Sequence, residues 1–477
     1  MFIVRPGEAI PTDGLIVRGR SSINEASVTG ESIPVDKKEG MKVFAATINQ
    51  EGVLEVRATA AFKDNTLSKM IRLVEEAQEQ KGKTQLFIEQ FGRIYTPLVL
   101  FGALFLIAIP PLFGVSTLHW ATRVVVLLVA AAPCALVMST PVAVAAGIGR
   151  AGRSGVLIKG GVHLENLGKV KVVAFDKTGT LTAGKPVLTD IITLNGTESE
   201  VLSLAYSVER FSEYPLARAI IEKAEGVGAK DLEATNFSAI AGYGAKAKIG
   251  DKIVYVGKQE LFRRAGYSSQ SIPPIENLTN EGKTVMFVGT EESIAGIIAI
   301  RDVIRPQAKK TVEELHDMGV KVAMLTGDNE VAAKVIAKEI GMDEVRAELK
   351  PENKIKVIEE LRGRYGFVAM VGDGINDAPS LARADVGIAM GTVGADAAIE
   401  AADIALITDD LTKVSYAIKL GKRVRDISTQ NITFSLVILG ILIPSALIGV
   451  LSVAITVFFH EASELLAVAN GLRVGRG

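Results

Sequence analysis

Cysteine and tryptophan are nearly missing from these 477 residues: Cys134 and Trp120 stand alone, and histidine occurs four times. A lone thiol excludes an internal disulfide and any metal site built from cysteines only. Charge of one sign is missing too. The 53 Lys and Arg face 54 Asp and Glu, a formal net charge of −1, without the basic bias that nucleic-acid binding requires. No secretory leader pattern opens the chain, because Phe2-Ile3-Val4 runs directly into Arg5-Pro6. What is plentiful is apolar side chain: 48% of residues, with a mean hydropathy of +0.31, which predicts membrane spans. The length calls for several domains rather than one core.

The chain is organised around Asp176-Lys177-Thr178-Gly179-Thr180-Leu181-Thr182. The apolar, β-branched run Val172-Val173-Ala174-Phe175 reads as a buried strand, so Asp176 falls at its C-terminal end. Open α/β sheets place their chemistry there. A carboxylate on a tight turn, beside hydroxyls and a glycine whose amides can approach an anion, suits an aspartyl nucleophile for phosphoryl transfer. Two later runs repeat the pattern: 322–325 leads into Thr326-Gly327-Asp328, and 367–371 into Gly372-Asp373-Gly374-Ile375-Asn376-Asp377, with Lys354 between them. With 386–390 and 404–407 as further parallel strands, these predict a doubly wound α/β sheet. Asp176, Asp328, Asp373 and Asp377 would gather four negative charges, so Mg²⁺ and Lys354 are needed before a phosphate can enter.

Together these motifs resemble the phosphorylation domain of P-type ATPases, which is haloacid-dehalogenase-like, and Thr29-Gly30-Glu31-Ser32 resembles the same family's actuator loop. The likeness runs through essentially the whole chain in family order. It implies a partial, β-rich actuator domain at 1–88, a transmembrane hairpin at 89–150, and a phosphorylation domain in two parts, 151–184 and 301–425. An α+β nucleotide-binding insertion then occupies 185–300, and a second transmembrane hairpin 426–477. The family has helices and strands ahead of Arg5-Pro6, so the chain is expected to lack its front end. The resemblance further implies that Glu31 activates water against the phosphoenzyme and that Asp373, Asp377, Asp176 and the Thr178 carbonyl hold Mg²⁺. It also implies that Thr326 and Gly327 contact the phosphate beside Asp328. ATP is expected at Glu209, Tyr214, Gly242, Gly244, Gly257 and Lys258; Tyr214-Pro215 stands where the family has His-Pro. Soluble phosphatases of this fold carry a second Asp two positions after the nucleophile. This chain has Thr178 there, which leaves hydrolysis to an outside base.

Two apolar stretches, 94–113 and 121–148, each approach the ~20 residues that cross a bilayer, and the apolar run from 428 to 473 is long enough for two more spans joined near Gly449. Lys and Arg flank both pairs on the same side, so the catalytic domains are expected in the cytoplasm of an integral protein of the plasma membrane. In the second span Pro133 frees backbone carbonyls, and Cys134 offers a soft thiolate with Met138 at i+4 on the same face. In the last span His460, Glu461 and Glu464 interrupt the apolar run. Two unpaired ionised glutamates there would cost about 5 to 7 kcal/mol, so such residues face an interior pathway. His460 and Glu464, four apart, share a helix face. Heavy-metal P-type ATPases carry a Pro-Cys at this place, and the stretch from His460 to Arg473 resembles a subgroup associated with cobalt and zinc. It departs from that subgroup at Ala462 and Gly471, and Ala132 replaces the residue usual before Pro-Cys.

The reading is ATP-driven export of a divalent transition metal of the zinc, cobalt or cadmium class, bound by Cys134, His460 and Glu464. A membrane-tethered phosphohydrolase and a nucleotide-binding partner without transport remain as alternatives at this point. Metal-stimulated ATP turnover separates the first from both.

Overall fold

The computed structural model describes residues 1–25, 35–61, 65, 68, 82–114, 116–212, 215–240, 243–267, 275–328, 330–373, 377–391 and 402–476. Chain contacts divide it into two units. One joins Met1–Lys171, Arg362–Met370 and Gly374–Gly477; the other joins Val172–Leu361 and Val371–Asp373.

The first unit begins with two small antiparallel sheets. One has the order Phe2–Val4, Leu54–Ala58, Gly14–Arg18, Lys42–Val43, and the other Val35–Lys37, Ser21–Asn24, Ile48–Asn49. Alternation sends Val4, Ile16, Ile23, Leu54 and Val56 inward to a shared core while charged neighbours face out. Four stretches among the described residues are long and apolar enough to cross a membrane: Thr84–Ala108, Thr117–Arg153, Thr412–Ile448 and Val453–Gly475. The second is broken where the sequence places Pro133, one helix ending at Ala130 and the next starting at Cys134. The third is a single helix of 37 residues that also carries the basic positions Lys419, Lys422, Arg423 and Arg425. It stops at Gly449, which adopts a left-handed φ of 83°. Arg123 donates to the Leu447 carbonyl at 3.3 Å, and a Cβ on Gly449 would lie 2.7 Å from its guanidinium. This arginine therefore caps a helix C-terminus, where a cation is favoured.

The first unit also contains Val386–Ala389 running parallel to Ile404–Leu406. The sequence reading missed the next neighbour. Val156–Ile158 adds to Ile404–Leu406 in antiparallel register, an edge strand too short to show its own pattern.

In the second unit Val172–Asp176 lies parallel to Lys321–Leu325, itself parallel to Glu344–Arg346. The buried strand is almost wholly apolar, with Val172 to Phe175 at 0–1% exposure. The insertion is a six-stranded antiparallel sheet, entered by the long strand Thr182–Thr193 and left by its partner Ile294–Ile304. Helices Glu198–Glu209 and Pro215–Val227 cover it through Val201, Leu202, Val208 and Ile220. The first of these starts with a capping box: Thr197 accepts from the Glu200 amide and Glu200 accepts from the Thr197 amide.

Candidate active site and metal site

Register builds the catalytic end of the second unit. Leu325 pairs with Asp176, so Thr326-Gly327-Asp328 begins level with the Asp176 turn. Asp176 is 7% exposed, and the Lys354 ammonium donates to its Oδ1 at 2.5 Å. Lys177, equally buried, pairs with Asp328. The sequence reading had assigned only Lys354 to the charge balance; the adjacent Lys177 shares it.

Lys177–Leu181 make a wide turn that is not helical at Thr178 (φ −79°, ψ 125°) or Gly179 (φ 76°). The left-handed Gly179 lets the chain fold back after the aspartate. A Cβ built on Gly179 would meet the Asp373 Cβ at 3.9 Å, so Asp373, at the end of Val368–Gly372, borders this turn. Two supports lie far along the chain. Arg305 donates to the carbonyls of Thr180 at 2.8 Å and Gly179 at 2.9 Å, and the Thr182 hydroxyl donates to Asp302 at 2.6 Å. Sequence reasoning took Arg301-Asp302 only as the point where the fold resumes after the insertion. Thr326 is 2% exposed; its hydroxyl accepts from the Asp328 amide, and its carbonyl accepts from Leu349. Asp377 belongs to the other unit, where it is buried and begins helix Ala378–Arg383.

In the insertion, Glu209, Gly244, Gly257 and Lys258 line one cavity of about 160 Å³, together with Tyr243 and Met286. A Cβ on Gly244 would come within 2.2 Å of the Val256 carbonyl, and one on Gly257 within 2.3 Å of the Tyr243 carbonyl, so both positions demand glycine. Tyr243, which the sequence reading left without a role, carries the Arg264 guanidinium over its ring at 3.9 Å. Burial pushes the Glu209 carboxyl up to about 7, opposed by a hydrogen bond from Ser212. Tyr214, Gly242 and Glu31, all expected at functional positions, lie outside the described residues, as do Gly374, Ile375 and Asn376.

Within the first unit, the break before Cys134 and the helix Val453–Leu472 bring Cys134, His460 and Glu464 together. One donor atom from each lies within 4.8 Å of the others. His460 is 9% exposed, and Ser463 beside it bonds back to the His460 carbonyl at 2.7 Å. Met138, at i+4 from Cys134, is 45% exposed. Glu461 is also exposed and is not one of the three residues whose donor atoms converge.

Residues 170–385 match the haloacid dehalogenase-like hydrolase family, and residues 1–75 the P-type ATPase actuator domain. A probable cadmium-transporting ATPase of Staphylococcus aureus is 42% identical across all of this chain, which spans 67% of that relative. A zinc-transporting ATPase of Bacillus subtilis is 41% identical over 99% of this chain and 75% of its own length. Among solved structures, a zinc-transporting PIB-type ATPase in its E2.Pi state superposes with a TM-score of 0.72 at 38% identity, covering 99% of this chain and 78% of that one. With a phosphorylation fold, an actuator sheet, four spans and this identity throughout, the chain belongs to the heavy-metal-transporting P-type ATPases.

Proposed function

We propose that this cation-translocating ATPase exports a divalent metal of the zinc, cobalt or cadmium class across the plasma membrane, through an aspartyl phosphate on Asp176. The observation that carries the reading is the approach of Cys134, His460 and Glu464 to within 4.8 Å, in a chain that also holds Asp176 at a strand end. One thiolate, one imidazole and one carboxylate suit these divalent ions, whereas Cu⁺ favours more sulfur than a single cysteine supplies. The names of the relatives, cadmium-transporting and zinc-transporting, point to the same class.

In the proposed cycle ATP binds the insertion cavity, and an Asp176 oxygen attacks the γ-phosphorus as the bond to ADP breaks. Lys354 holds the nucleophile and offsets charge at the entering phosphate, while Thr326 and Gly327 meet the phosphoryl oxygens. Asp373 borders the Asp176 turn, and carboxylate and carbonyl oxygens are what Mg²⁺ takes, so Asp176, Asp373 and the Thr178 carbonyl fit that ion. When bound, it neutralises charge on the phosphoryl group. Because Thr178 offers no acid or base, water attack on the phosphoenzyme falls to Glu31 acting from the actuator loop. Holding hydrolysis back in this way links the lifetime of the intermediate to release of the ion.

ATP hydrolysis measured against Zn²⁺, Co²⁺, Cd²⁺, Ni²⁺ and Cu⁺ tests the reading. Stimulation by the first three is expected. Strongest stimulation by Cu⁺, or turnover indifferent to all five, refutes it.

A further inference from the structure

Cys134, His460 and Glu464 offer three donors, whereas zinc-class cations in protein sites take four. A small cavity of about 10 Å³ adjoins His460 at the helix break; it is lined by Ala132, Pro133, Ser435, Leu439, His460 and Ser463. Its volume is about that of one water position. Most hydroxyls on these helices are satisfied locally. Ser139, Thr429, Thr433, Ser445 and Ser463 each donate to a carbonyl three or four residues back. Ser435 does not. It is 2% exposed, yet its Oγ has no hydrogen-bond partner. Leaving such a group unmet costs about 1 to 3 kcal/mol, so it calls for a partner. Thr140 and Ser428 are also buried without partners, but neither lines the cavity beside His460.

We propose that Ser435 completes the transported cation's coordination: its hydroxyl anchors a water that fills the fourth position beside Cys134, His460 and Glu464. The inference rests on the cation site read above and adds a specificity element to it. Ser435 keeps the fourth donor an oxygen, which favours Zn²⁺ and Co²⁺ over the softer Cd²⁺.

The test is equilibrium binding of Zn²⁺ and Cd²⁺ to the purified full chain in detergent, with the visible absorption of the Co²⁺-loaded protein as a second readout. Ser435→Ala is expected to weaken Zn²⁺ binding by about 10-fold, the usual scale for losing an outer-shell partner, and to move the Co²⁺ band. Ser435→Thr, which keeps the hydroxyl, retains both, and Ser435→Cys shifts preference toward Cd²⁺. Unchanged Zn²⁺ affinity and an unchanged Co²⁺ band in Ser435→Ala overturn the assignment, provided that Cys134→Ala and His460→Ala abolish binding. If those two variants also bind normally, the cation site itself is wrong.

Discussion

The phosphorylation site and the membrane cluster handle charge in opposite ways. Asp176 and Asp328 are each matched by a lysine of the same unit, Lys354 and Lys177. Glu464 sits with Cys134 and His460 where, among the described residues, no Lys or Arg pairs with it. In the first, two of the aspartates already carry a lysine counter-charge of their own. The second gathers donors without a fixed counter-charge, which is what the proposed cargo site requires. The difference suits the two proposed roles: acids with a fixed counter-charge at the phosphorylation site, and a half-buried acid without one at the place proposed for the cargo.

The sharpest way to break this contrast is at the nucleophile. Asp176→Asn is expected to remove all acid-stable, hydroxylamine-labile label from γ-labelled ATP; any label persisting in that variant refutes the assignment. Lys354→Met strips the internal counter-charge and is expected to slow phosphorylation by roughly 10²- to 10³-fold, the scale for losing a preorganised electrostatic contact. Label forming at the normal rate would show that Asp176 does not depend on it. Gly179→Ala forces a side chain into φ 76°, a strain of roughly 1–2 kcal/mol, so labelling should slow by about 10-fold or more with little change in metal binding.

The smallest effect concerns pH. Glu209 has its carboxyl raised to about 7, so its buried form is the neutral one. Its contribution to stability is fully present below the ordinary carboxyl value near 4.5 and is lost as pH rises toward 7. A neutral carboxyl can donate and accept at the edge of adenine at once. ATP affinity should therefore fall a few-fold between pH 6 and 8, and Glu209→Gln should flatten that profile; an identical slope in the variant would remove Glu209 from nucleotide recognition.

Much of this was legible in the sequence because the catalytic motifs are local. Val172–Asp176 is a strand ending in the proposed nucleophile, and the parallel register to Lys321–Leu325 follows from the strand-and-helix rhythm. Cys134 and Glu464 were also legible, since proline and acid inside apolar runs are conspicuous. What stayed hidden depends on contacts across long separations. Thr182 meets Asp302 120 positions later, and Arg305 reaches back to Gly179 across the whole insertion. The exposure of Met138 was not legible either, because i+4 spacing names a shared face without saying how much of it is covered. Ser435 carried no signal at all: a serine in an apolar helix commonly bonds its own backbone, and only the packing shows that this one does not.

The most direct test of the contrast is the metal dependence of phosphorylation by ATP, run beside phosphorylation by inorganic phosphate. The full chain is expected to label from ATP only when Zn²⁺, Co²⁺ or Cd²⁺ is present. Cys134→Ala and His460→Ala should lose that label while still accepting inorganic phosphate at Asp176, a reaction that needs no bound cargo. Label from ATP without added metal, or undiminished in His460→Ala, would contradict the account.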